Sequence, residues 1–133
     1  YNFQFEKKDK VEIIEDGKIK IVKCNNETNF FFSGDEILPS LKMILSGKIS
    51  LKKIFVDMGA VKFIVGGADV MRPGILEIED GIAKDEVIAI LDINNKKALA
   101  IGRALLTSEE MKSSTSGKVV KNLHFIGDDI WKS

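Results

Sequence analysis

The chain has 133 residues, 44% of them hydrophobic, with 20 basic and 20 acidic side chains. That length holds one ordinary domain or two very small ones, and the even balance excludes the bulk electrostatic attraction by which strongly basic chains bind nucleic acid. The single cysteine, Cys24, excludes an internal disulfide and any multi-cysteine zinc site, and suits a reducing compartment, the cytoplasm by default. No apolar run approaches a membrane span and residues 1–10 lack a signal-peptide core, so no membrane association is expected. The first residue is Tyr1 rather than methionine, which leaves the natural start of the chain open.

Val11–Ile14 and Ile19–Val22 are β-branched runs around Asp16-Gly17, which predicts a hairpin. After the polar stretch Asn25–Asn29, Phe30-Phe31-Phe32 predicts a strand, and Leu41, Ile44 and Leu45 at helical spacing predict a short amphipathic helix with Pro39 near its first turn and Gly47 at its end. Roughly the first 50 residues therefore read as a small α+β unit. Ile54-Phe55-Val56 predicts a buried strand that opens an independent second unit. Asp57 is placed to cap a short helix over Ala60–Val65, which Gly66 or Gly67 would end in a left-handed conformation.

Beyond Pro73-Gly74 the pattern turns to β. Leu76 and Ile78 alternate with Glu77 and Glu79, and Val87–Leu91 and Ala98–Ile101 flank Asn94–Lys97 as a second hairpin. Thr107–Glu110 has capping-box spacing, Ser113–Gly117 reads as a loop, and a strand around Leu123–Ile126 precedes Ile130-Trp131. Short, closely spaced strands with isolated helical turns predict a small, partly closed barrel.

Charge is unevenly spread. Lys42–Arg72 carries six cations against Asp57 and Asp69, whereas Leu76–Asp92 carries six carboxylates against Lys84 alone. If the two segments lie on different faces, the molecule has a basic and an acidic side. His124 is the only histidine and sits in a strand pattern, so it is read as structural and no histidine metal cluster is expected. Ser46-Gly47-Lys48 and Ser116-Gly117-Lys118 lack the preceding glycine and the following hydroxyl of a phosphate loop. Asp85-Glu86 and Asp128-Asp129 read as solvated loop carboxylates. No catalytic residue, cofactor or metal is expected.

One stretch stands apart: Ala60–Gly74, AVKFIVGGADVMRPG. Gly66 and Gly67 either let a phosphate or ribose approach backbone N–H groups, or simply end the helix and pack on a strand, with Pro73-Gly74 as a type II turn. Lys62 and Arg72, both expected to be exposed, favour the first reading. Phe30–Phe32 is either core or a docking surface.

Val56–Ala60, Gly67-Ala68, Met71–Ile75, Ala98–Gly102 and Asn122–Trp131, in that order and spacing, resemble the PUA domain, the RNA-binding module of pseudouridine synthases and archaeosine transglycosylases. The preceding unit resembles the pre-PUA domain of the malignant-T-cell-amplified-sequence proteins and ligatin. The resemblance implies an α+β fold in which a pre-PUA domain over 1–53 precedes a β-rich PUA pseudo-barrel over 54–133. It also implies a non-catalytic, translation-associated role with tRNA or small-subunit rRNA as partner. Two other readings stay open: an RNA-recognition subunit of a tRNA-modifying enzyme, and a module docking a translation-factor partner. The candidate RNA-binding residues are Gly59, Ala60, Lys62, Phe63, Gly66, Gly67, Ala68, Met71, Arg72, Pro73, Gly74 and Arg103. All but two of the basic side chains are lysines, Arg72 and Arg103 being the exceptions, a bias that suits an archaeal or AT-rich genome.

Overall fold

The computed structural model describes Tyr1 and residues 3–133. Strands β1 (Val11–Asp16), β2 (Ile19–Cys24), β3 (Glu27–Ser33) and β4 (Glu36–Pro39) form an antiparallel sheet in sequence order, followed by the one-turn helix α1 (Leu41–Leu45). The remainder contains β5 (Lys53–Val56), α2 (Met58–Ile64), β6 (Val70–Met71), a 3₁₀ turn (Arg72–Gly74), β7 (Ile75–Ile78), β8 (Val87–Asp92), β9 (Ala98–Ala104), α3 (Ser108–Ser113), β10 (Lys118–Phe125) and α4 (Asp129–Lys132). Its six strands run in the order β6-β10-β9-β8-β5-β7 and curl into a barrel-like sheet, with β5 and β8 the one parallel pair. The mixed α+β character follows the sequence reading. None of the described helices is long and apolar enough to cross a membrane.

β8 explains how the two sheets hold together. Ile88 and Ile90 point into the barrel beside Ile54, Val56 and Val120, while Val87, Ala89 and Leu91 point outward against Phe31, Leu38, Leu41 and Met43 of the first sheet and α1. A strand covered on both faces has no reason to alternate, which is why its sequence is a continuous apolar run.

Several expectations are corrected. Pro39 closes strand β4 opposite Phe30 instead of opening a helix; on an edge strand its missing N–H costs no ladder bond. In β7 it is Ile75 that is buried, with Leu76 and Glu77 both exposed, because the pairing with β5 slips between Phe55 and Val56. The charged segments do not separate onto two faces: β5 lies between β7 and β8, and Lys52 reaches both the Gly81 carbonyl and Glu86. Phe30 and Phe31 are buried, so those two rings are core and not a docking surface.

His124 is buried, as its strand pattern implied. The Leu41 N–H at the start of α1 donates to its Nε2 at 3.1 Å, so the ring proton sits on Nδ1 and is donated to Asp128, 2.8 Å away. Phe31 packs edge-on to the ring with centroids 5.1 Å apart. Asp128 is not a solvated loop residue: besides His124 it accepts N–H bonds from Phe125 and Trp131, the latter capping α4. Burial works against its charge, but the bonds from His124, Trp131 and Phe125 together outweigh it, and its pKa lies below the usual aspartate value. A carboxylate whose folded pKa is depressed stabilises the fold fully above its unfolded pKa, and that contribution disappears as pH falls through the folded value. Asp128→Asn should therefore flatten the acid limb of a stability-against-pH curve, and His124→Ala should cost about 2–4 kcal/mol in urea unfolding. An acid limb unchanged in Asp128→Asn would contradict this account.

We propose that the chain divides at residue 53 into two units that share the apolar cluster against β8 and β9. A fragment of residues 50–133 should still unfold cooperatively but at lower urea than the whole chain, since Leu91, Val87 and Ile101 lose cover worth about 1.5–3 kcal/mol for each large side chain. Loss of a cooperative transition would mean that one core serves the whole chain.

Candidate nucleic-acid interface

Between β5 and β6 the chain turns through α2 and the paired glycines. Asp57 begins α2 by accepting the Ala60 N–H at 2.8 Å, while its own N–H bonds to the Gly74 carbonyl and closes the segment on itself. At the other end Gly67 is left-handed (φ 96°), with its N–H on the Ile64 carbonyl and the Ala68 N–H on the Phe63 carbonyl, a Schellman closure. The Gly66 N–H is bonded to Phe63 as well. The donors that sequence reading offered to a phosphate are thus spent inside the helix end. A Cβ on Gly67 would also meet the Phe125 ring at 3.2 Å. Gly74, read as the left-handed residue of a type II turn, is not among the positive-φ positions; it ends the 3₁₀ turn, where a Cβ would come within 3.2 Å of that of Ala60. It is there for close packing.

These constraints shape a cleft of about 260 Å³ between α2 and β6. Ile64 and Val70 line its base, the small residues Ala60, Ala68 and Gly74 line its sides, and Phe63 and Met71 stand at its mouth. Phe63 is 60% and Met71 51% exposed. Large apolar side chains held this far into water beside a cleft are the feature to explain. The Lys62 ammonium lies 5.1 Å from the centre of the Phe63 ring, which places a cation over an exposed π face. Asp69 sits in the lining. The Asn122 N–H bond holds its pKa below the usual aspartate value, and Lys118, 2.9 Å away, adds to this against the cost of burial. A carboxylate kept ionised in an apolar cleft accepts hydrogen bonds only, as from an exocyclic amine.

Of the residues singled out in the sequence, Ala60, Phe63, Ala68, Met71 and Gly74 meet in the cleft, and Lys62 is at its edge. Gly59 and Pro73 are exposed nearby; Gly66 and Gly67 close the helix. Arg72 is not free: its guanidinium donates to the carbonyls of Met111 (2.6 Å) and Ile75 (3.0 Å), tying α3 to the 3₁₀ turn. Arg103 lies elsewhere, bonded to Glu36 of β4 and the Asp85 carbonyl.

Sequence reasoning missed Asn122. From β10 its side-chain amide donates to the carbonyls of Ile64 (2.9 Å) and Ala68 (3.0 Å), clamping the helix end, while its Oδ1 is buried with no partner among the described residues. Only its place in the Asn-x-His ending marked it; the partners are more than 50 residues away.

A PUA domain family model matches residues 52–126. The chain belongs to the PUA domain family. Over 125 residues it is 39% identical to an uncharacterized protein of Methanocaldococcus jannaschii, covering 94% of this chain and 77% of that one. It is 34% identical to translation machinery-associated protein 20 of Saccharomyces cerevisiae (94% and 73% covered) and 29% identical to malignant T-cell-amplified sequence 1 of Rattus norvegicus (94% and 71%). Among solved structures, a hypothetical protein from Pyrococcus horikoshii superposes with a TM-score of 0.81 at 34% identity, over 96% of this chain and 80% of that one. A chain of an H/ACA RNP bound to a substrate RNA superposes with a TM-score of 0.58 at 29% identity, over 73% of this PUA chain and 29% of that one.

Removing the Asn122 clamp should loosen the cleft before it unfolds the protein. Asn122→Ala is expected to cost about 1–2 kcal/mol and to speed amide exchange at Gly67 and Ala68 more than in the barrel strands. Asn122→Asp, close in shape, should be worse, because a carboxylate would face the two carbonyls of Ile64 and Ala68 with no proton to donate to either. Uniform acceleration across the barrel in the Ala variant would show that Asn122 does not act on this loop in particular.

Proposed function

We propose that the chain is a non-catalytic RNA-binding protein of the translation machinery, contacting tRNA or small-subunit rRNA through the α2–β6 cleft in the cytoplasm. The observation that carries this reading is the exposed Phe63 ring, with Lys62 over it and an apolar cleft behind it. A base from a single-stranded end or loop stacks on the aromatic face, the lysine meets the adjoining phosphate, and Asp69 accepts from an exocyclic amine. Relatives named for the translation machinery and for malignant T-cell amplification, and the structural likeness to a chain of an RNP bound to RNA, support the same direction. That last likeness also favours a second reading, in which the chain supplies RNA recognition to a separate modifying enzyme.

Phe63 and Lys62 allow a test that leaves the fold alone, since both side chains are exposed and, unlike that of Arg72, neither makes a hydrogen bond among the described residues. Phe63→Ala should weaken binding of labelled tRNA or small-subunit RNA by about 1–3 kcal/mol at any salt concentration. Lys62→Ala should mainly lower the slope of log affinity against log salt, by about 0.7 for a single-strand phosphate contact. If both variants bind both RNAs with unchanged affinity and slope, the cleft is not the interface. Loss with tRNA alone would select tRNA as the ligand.

A further inference from the structure

A second concave surface lies between α1 and the outer faces of β8 and β9. It is a groove of about 600 Å³, more than twice the α2–β6 cleft. Ile44, Leu45, Leu91 and Ile126 contribute an aliphatic lining, with no aromatic ring among the groove residues. Leu45 is 44% exposed at its edge. Three lysines, Lys53, Lys96 and Lys97, complete the groove, and no carboxylate among the described residues pairs with any of them.

The lysines are held in place. Asp92 is buried and turns a carboxylate oxygen onto the backbone N–H groups of Asn95 and Lys96, fixing the β8–β9 turn with Lys96 left-handed at φ 55°. Left-handed backbone is uncommon for lysine, whereas asparagine adopts it readily. The turn therefore presents two adjacent cations from a defined position, with Lys53 contributed by β5.

We propose that this groove binds an acidic, amphipathic peptide segment of a protein partner, laying aliphatic side chains against Leu45, Ile44 and Leu91 and setting carboxylates against Lys53, Lys96 and Lys97. Charge complementarity selects this occupant: unpaired cations around an aliphatic floor are matched by apolar side chains at helical spacing flanked by acids. Nucleic acid is the poorer fit, because nothing in the floor offers a π face for a base. The surface is distinct from the α2–β6 cleft, so the inference stands or falls separately from the RNA reading. It also moves the protein-docking role away from Phe30 and Phe31, which are core.

The test uses the full chain and a labelled peptide of roughly 14 residues with leucines at i, i+4 and glutamates between them, in fluorescence anisotropy titrations. A control peptide carries Gln for every Glu, and a labelled oligouridylate reports on RNA. The glutamate peptide should bind, and weaken as salt rises from about 50 to about 200 mM. A triple variant, Lys53→Glu with Lys96→Asn and Lys97→Glu, should lower its affinity at least about tenfold; asparagine suits the left-handed turn. Leu45→Ser, which leaves every charge in place, should weaken the same peptide severalfold, while oligouridylate binding stays unchanged in both variants. Equal binding of the Glu and Gln peptides, or no loss in either variant, overturns the proposal. Loss of oligouridylate in the triple variant with peptide binding intact reassigns the groove to nucleic acid, and self-association abolished by the triple variant reassigns it to a second copy of the chain.

Discussion

The buried imidazole of His124 joins β10 and the start of α4, four residues further on, to α1 and β3 at the other end of the sequence, 83 residues away at Leu41. The first N–H of α1 has no partner within its own helix, and Ser40 does not cap it, since the Ser40 hydroxyl is turned to the Thr28 carbonyl. Nε2 of His124 takes that role, which requires the proton on Nδ1, which in turn requires an acceptor, and Asp128 is there because the same carboxylate begins α4. None of these bonds is optional once the others are buried: an unpaired polar group at this depth costs more than the bond itself contributes. The network sets where α1 lies over the barrel, and hence the groove between α1 and β8–β9.

β10 carries this network and the clamp on the α2 cleft from neighbouring positions. In a regular strand Asn122 and His124 would point the same way. Here Asn122 pairs with Gly102 and His124 with Ile101, so two steps along β10 match one along β9. The extra residue is a bulge at Leu123, and it reverses the side on which the following residues emerge. Asn122 consequently faces the α2 helix end while His124 faces Phe31 of the first sheet. One irregular residue lets a single strand support both concave surfaces.

Periodicity and caps made most elements legible: the Asp16-Gly17 hairpin, the Asp57 cap, the Thr107–Glu110 capping box and the β8–β9 hairpin all depend on residues within a few positions of one another. What misled the reading was decided at long range. Pro39 looks like a helix start until its pairing with Phe30 is known, and Gly74 like a turn until Ala60 is seen against it. Arg72 and Arg103 carry the right charge for a phosphate, yet their donors go to backbone carbonyls, and in Arg103 also to Glu36. Within the cleft, Phe63 and Met71 were legible as members of the glycine-containing stretch, whereas Asp69 and Asn122 acquire meaning only when β10 is brought beside α2.

Charge accounting constrains how such a surface can work. With 20 basic and 20 acidic side chains this chain carries no net charge, and among the described residues seven of its cations, Lys118 and Lys52 included, are already paired with carboxylates. Long-range steering of a polyanion is therefore weak, and little affinity can come from counterion release. An RNA bound at the α2–β6 cleft has to be held by short-range contacts, stacking on Phe63 and burial against Met71 and Val70, which favour an unpaired base over a duplex backbone. A small cleft with Lys62 at its edge suits recognition of a displayed nucleotide, and the unpaired lysines of the α1 groove are left for a different partner.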